Sequence, residues 1–424
     1  MFDKLISIFK VKDLRNKILF ILFTLVIYRL AANIPVPGVD ASKIKDFLSG
    51  NQLLGFLNMF SGGGLKNVSI VMLGVGPYIT ASIIMQLMTM IFPSLDQMNK
   101  EEGEAGRQKF NMITRYLTVP LAAIQAFGMI ALLRSQHVLG DLTLFNYIMI
   151  ITTATAGTIF LMWLGELITE KGIGNGVSIL IFAGIVVALP TSLKQIIATW
   201  DPTQSLTYLG FLVLSVMVVA GIVVSNEGTR NIPITFARRM RSGAGAGGSV
   251  ESFLPLKVNQ AGVIPIIFAM SIMLFPRMIS SVLANSANPM VANIAGKAAD
   301  IFANQIVYGV LYFILVVAFT FFYTAVTFDP KSVAENLQRQ GGFIANIRPG
   351  EPTIEYLNYI TNRITLSGAI FLGLIAVLPF IVQGLTGIQT LTIGGTGMLI
   401  VVAVVIEIIK QIEAQLVMRN YDGF

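Results

Sequence analysis

Ten apolar runs, each close to the thickness of a bilayer, constrain this chain more than any other feature, because a helix of about 20 apolar residues spans the hydrocarbon core. The runs fall near Ile18–Ala32, Ile70–Phe92, Tyr116–Leu133, Phe145–Leu164, Val177–Leu193, Leu206–Val224, Val263–Val282, Ile306–Phe328, Ile364–Val382 and Gly397–Val417. Backbone N–H and C=O groups find no water at that depth, so only helices or closed barrels can cross. The runs do not alternate polar with apolar residues, which favours helices. Charged residues make up only 12% of the chain, against roughly 25% in an ordinary soluble domain. The expected fold is all-α and integral to the membrane, ten helices in one bundle.

Charge sets the orientation. With residues 1–17 read as a basic cytosolic tail rather than a cleaved signal, 21 Lys and Arg lie on the inner side and 7 on the outer, and Arg29 sits within the first span. Basic residues concentrate on cytoplasmic loops, so both termini are expected inside. Ten spans divide into halves of five, residues 18–195 and 196–424. An odd number per half inserts the two in opposite senses, an arrangement that puts a pathway at their interface.

The chemistry available is narrow. The chain holds no Cys and one His, His137, which removes thiol, disulfide and multi-imidazole metal sites. Walker A, GxSxG and HExxH patterns are missing. The expectation is no enzyme, no ATP site, no metal and no cofactor. Arg29, Glu166, Glu407 and Lys410 lie at or near helix ends, where they can snorkel to headgroups. The in-span polar residues Thr80, Ser82, Gln86, Gln125, Asn259 and Gln260 are neutral. Such groups bond between helices for about 0.6–2 kcal/mol, which suits ordinary packing and equally a seam that closes and reopens.

Three stretches depart from a plain bundle. Residues 51–67, NQLLGFLNMFSGGGLKN, are too short to span and are broken by three consecutive glycines. They read either as an element folded back into the bundle or as an amphipathic helix on the membrane surface. Two inner loops, 225–260 and 329–362, are unusually long and carry basic clusters. They read as topology signals or as a dock for a large partner, RNA included.

The blocks NIPVPGVD (33–40), NMFSGGGL (58–65), GPYITASIIMQL (76–87), EEGEAGRQK (101–109), LMWLGELITEKGIGNGVSI (161–179), LPLKVNQAGVIP (254–265), IRPGEPT (347–353) and GGTGMLIVV (394–402) resemble the family of SecY and the eukaryotic translocon large subunits. They run in order across nearly the whole chain. The resemblance implies a protein-conducting channel, two inverted five-helix halves closing as a clamshell on a pore. It implies a pore ring at Val75, Ile79, Val177, Ile181, Ile267 and Ile400, and a re-entrant plug over about 53–67 that includes Asn58, Met59, Phe60, Ser61, Gly62, Gly63, Gly64 and Leu65. A lateral gate is implied at Gln86, Gln125 and Asn259, and docking of the SecA motor or the ribosome at Arg348, Arg339, Arg238, Arg239 and Arg241. The implied partners are SecE and SecG in a heterotrimer, SecA, the ribosome and its RNA, secretory and membrane-protein precursors, and the lipid bilayer. The implied location is a bacterial plasma membrane. A solute transporter would also suit inverted halves, but the spans lack the midplane charge expected of an ion-driven carrier.

Overall fold

The computed structural model of the protein describes residues 11–36, 58, 61–100, 103–135, 143–198, 202–236, 250–283, 288–386 and 395–422. Each of the ten predicted runs coincides with a helix. They are α1 (Lys12–Asn33), α2 (Gly76–Ile91), α4 (Gly103–Ser135), α5 (Leu144–Lys171), α6 (Gly176–Ala198), α7 (Ser205–Glu227), α8 (Ile264–Leu283), α10 (Gln305–Thr327), α12 (Glu351–Thr386) and α13 (Gly395–Asp422). By length and composition, five helices among the described residues suffice to cross a membrane, and three more are shorter and apolar.

One boundary differs from expectation. The second run was to begin at Ile70, yet residues 70–75 turn and the helix starts at Gly76, with Pro77 in its first turn, where a missing N–H costs nothing. Helix α1 takes in the end of the basic tail from Lys12, where Asp13 pairs with Lys17 one turn on.

Short helices that hydropathy alone does not mark join the long ones: α3 (Pro93–Lys100), α9 (Pro289–Ala303) and α11 (Pro330–Arg339). The described parts of the two long loops hold regular structure. The first forms an antiparallel hairpin, β1 (Thr229–Phe236) with β2 (Val250–Lys257), and β3 (Gly342–Ile344) from the second loop adds to the other edge of β1. Ile232, Leu256, Ala334, Ile344, Leu357 and Ile360 close a small core beneath this sheet. The sheet lobe therefore has its own apolar anchor beside the bundle.

Within the bundle, α2, α4, α5 and α6 pack in sequence, and α10 lies along α12. Among the described residues the main contacts between the halves are α8 on α2 and α4, and α13 on α6. Threonines recur at packed positions, and their hydroxyls donate to the carbonyl four residues back, as at Thr114, Thr118, Thr320 and Thr324. Each hydroxyl is satisfied within its own helix, so it adds no demand on a neighbour.

Candidate functional site

A cavity of about 590 Å³ opens between the halves. Its lining carries the polar Glu104, Asn111, Arg115, Glu166, Thr169 and Glu170 from α4 and α5 together with the aliphatic Ile79, Val177, Ile181 and Ile267 from α2, α6 and α8. Polar and aliphatic side chains from both halves thus face one space. Within it Arg115 Nε donates to Glu166 Oε1 at 2.7 Å, joining α4 to α5. Glu166 therefore meets a protein partner, where snorkelling was expected.

Of the six expected ring residues, Ile79, Val177, Ile181 and Ile267 share the cavity lining, while Val75 and Ile400 do not. Val75, Ile79, Ile181, Ile267 and Ile400 are buried in the large apolar core of the bundle, and Val177 packs against it.

The turn geometry of the GIGNG segment positions Val177 and Ile181. Gly174 takes φ +87°, which glycine adopts without strain. Asn175 Oδ1 accepts the N–H groups of Val177 and Ser178 at 3.0 and 3.2 Å, capping α6. At Gly176 a Cβ would lie 1.9 Å from the Gly165 carbonyl oxygen, so only glycine lets α6 start this close to α5.

The glycine-rich segment packs within the N-terminal half. Met59 and Phe60 lie outside the described residues, as does 53–57, while Ser61, Gly62, Gly64 and Leu65 are buried. That burial favours the folded-back reading over a helix on the membrane surface. Leu65 packs with Val36, Val68, Ala126, Met129 and Ile150, which ties the segment to α4 and α5. Asn58 Oδ1 accepts the Lys66 N–H at 2.8 Å, and Ser61 Oγ accepts the Leu65 N–H at 3.1 Å. Arg29 Nη1 donates to the Gly62 carbonyl, so this cation, too, is held by protein and does not snorkel. Val36 N–H donates to Val68 O at 2.9 Å and Ile70 N–H to Ile34 O at 3.0 Å. The exit of the segment is thereby stitched to the end of α1.

The polar gate positions occupy the α2, α4 and α8 neighbourhood but do not form one network. Gln125 Nε2 donates to Thr80 Oγ1 at 3.3 Å, linking α4 to α2 within one half. Asn259 Nδ2 donates to Asn226 Oδ1 at 2.8 Å, and its Oδ1 accepts the Gly262 N–H at 3.0 Å, both within the other half. Gln86 Nε2 reaches Ser82 Oγ at 3.4 Å, and its Oε1 is buried without a partner. The seam between α8 and α2 is thus held mainly by packing.

Of the docking residues, Arg238, Arg239 and Arg241 lie outside the described residues. Arg339 pairs loosely with Glu335 at 3.6 Å, one turn back on α11. Arg348 is exposed in the turn after β3, beside Asn346, Pro352, Glu355 and Tyr356. Its carbonyl accepts the Thr353 hydroxyl at 2.9 Å, fixing the turn against the start of α12. Sequence reasoning missed the Arg115–Glu166 pair, because Arg115 counts there only as one basic residue among many on the inner side.

The SecY family profile matches residues 69–409. Protein translocase subunit SecY of Streptomyces coelicolor is 44% identical over 432 residues, covering 98% of each chain. Among solved structures, the SecY channel whose plug domain is described as stabilising the closed state superposes with a TM-score of 0.62 at 20% identity, covering 94% of this chain and 91% of the other. Canine Sec61 in its ribosome complex gives 0.57 at 19% identity, with coverage of 94% and 91%. At those identities the structural likeness speaks for the fold.

Proposed function

The chain belongs to the SecY family and is the channel subunit of a protein translocase, and we propose that it threads unfolded polypeptide through the aliphatic constriction and releases apolar segments sideways between α2 and α8. The observation that carries this reading is that aliphatic side chains from both halves, Ile79, Val177, Ile181 and Ile267, share the lining of one cavity with polar groups of α4 and α5. Val75, Ile79, Val177, Ile181, Ile267 and Ile400 then act as the pore ring. A collar of this kind seals by excluding water and offers a passing ion no ligand. A peptide has only to displace side chains, with no bond to break.

Residues 58–65 act as the plug that backs the collar. Gln86, Gln125 and Asn259 flank the exit into lipid, where each central Leu, Ile, Phe or Val of a nascent segment gains about 0.3–0.6 kcal/mol. The halves 18–195 and 196–424 move apart to open it. The chain catalyses nothing and hydrolyses no nucleotide, so the work comes from outside. SecA or a translating ribosome docks on the sheet lobe through Arg348 and Arg339, with Arg238, Arg239 and Arg241 adding contacts. SecE and SecG complete the assembly, which sits in a bacterial plasma membrane with both termini cytoplasmic.

Reconstitution of the chain with SecE in liposomes, with SecA, ATP and a secretory precursor, tests this directly. ATP-dependent protection of the precursor from protease, lost in Arg348→Glu, is the expected result. Absence of protection despite intact SecE binding overturns the reading.

A further inference from the structure

Helix α9 joins α8 to α10 at the end of the bundle opposite the sheet, and the pore, plug and docking surface make no use of it. Asn288 caps it, its Oδ1 accepting the Met290 N–H at 3.1 Å. The helix presents three faces. Ala295 is buried and Phe302 packs on the main core, which fixes one face against α8 and α10. Asn293 and Gly296 form a polar flank.

The third face is a stripe at positions i, i+4, i+7 and i+11: Met290, Ile294, Lys297 and Ile301. Its three apolar members are 74%, 66% and 53% exposed, and Lys297 is exposed among them. Water would be a poor neighbour for such a stripe, since each large apolar side chain left uncovered forfeits the gain of burial. The stripe continues the lipid-facing surface: Ile279 and Leu283 at the end of α8, and Ile306, Val310 and Ile314 at the start of α10, are exposed on either side. A cation inside an apolar stripe fits a headgroup layer, where the alkyl stem lies along acyl chains and the ammonium reaches phosphate.

We propose that α9 lies in the headgroup layer of the outer leaflet as an anchor on anionic phospholipid, seated through Met290, Ile294 and Ile301 with Lys297 on a lipid phosphate. Because α9 packs on α8, which closes the seam against α2 and α4, the anchor fixes the outer end of a helix whose movement opens that seam. The inference depends only on the membrane setting of the bundle, so it survives failure of the translocation reading.

The chain has no native cysteine, so single sites can be labelled cleanly. I294C and N293C, each carrying an environment-sensitive fluorophore, would be reconstituted with the full chain in vesicles of phosphatidylglycerol and phosphatidylcholine. They would then be challenged with nitroxide-bearing lipid or with aqueous iodide. The Ile294 site is expected to be quenched by lipid at least about threefold more than the Asn293 site, with iodide showing the reverse order. Equal access of iodide to both sites overturns the proposal. So does protection of the Ile294 site from both quenchers, which would mean that protein covers the stripe. With Lys297→Glu added, lipid quenching at Ile294 should fall in vesicles containing phosphatidylglycerol and stay unchanged in phosphatidylcholine alone. The same fall in both removes the anionic headgroup from the assignment.

Discussion

The proposed collar rests on single residues. Ile79, Ile181 and Ile267 are buried in a cluster shared by both halves, so trimming them removes the collar without disturbing a hydrogen bond. The triple change Val75→Gly, Ile79→Gly and Ile267→Gly is expected to raise resting ion conductance in planar bilayers about tenfold or more. Unchanged conductance would remove these residues from the ring. Gly157 tests the opposite sign of packing error. A Cβ there would fall 1.9 Å from the Ile70 carbonyl oxygen, at the exit from the plug segment. Gly157→Ala should therefore lower stability by about 1–3 kcal/mol through overpacking, read as an earlier thermal transition in detergent. Little at this scale was legible from residue type alone. An isoleucine in a pore collar and one in a core look identical, and only the quoted motifs separated them. Arg29 and Glu166 looked like charges reaching for headgroups because the carbonyl and guanidinium that hold them lie far away in sequence.

Elements were far more legible, since hydropathy reports what a helix must be surrounded by. All ten apolar runs became helices, but polar extensions escaped notice. Helix α12 begins at Glu351, well before the apolar run at Ile364, because its first turns stand on the sheet lobe rather than in lipid. The hairpin was hidden for another reason. Pro233 in β1 and Pro255 in β2 interrupt the strand pattern, yet both are tolerated and neither breaks the register from Thr229–Lys257 to Phe236–Val250. Pro in a run ordinarily argues against a strand. The α4–α5 link makes a graded prediction. Arg115 and Glu166 side chains are 49% and 26% exposed, and pairs so wetted contribute no more than about 1 kcal/mol. Arg115→Ala should therefore leave the unfolding midpoint within a few degrees of the parent, and a collapse of the fold would show the pair to be structural.

The whole molecule is two halves touching along two seams of different character. One seam, α6 against α13, carries the turn at Gly174, where an added Cβ would come 2.9 Å from Gln411 Oε1. There Ile173 meets Leu14, Ile412 and Leu416 in a cluster of its own. The other, α8 against α2 and α4, leaves a buried Gln86 oxygen unpaired, and an unpaired buried acceptor costs about 1–3 kcal/mol in the closed state. The proposed lateral exit lies at this second seam. Cysteines introduced where α8 meets α4 and joined by a short bifunctional maleimide should stop lateral release of an apolar segment. The same link placed across α6 and α13 should leave release intact. Equal inhibition by both links would mean that the halves do not pivot. Finally, the plug segment is stitched to α1 and packed on α4 and α5, all within one half. On the proposed plug reading each channel carries its own stopper on a leash, and resealing after a polypeptide clears is a first-order event at a fixed local concentration. The charge leaked per passage should then be a constant of the molecule, the same whether the membrane holds few channels or many.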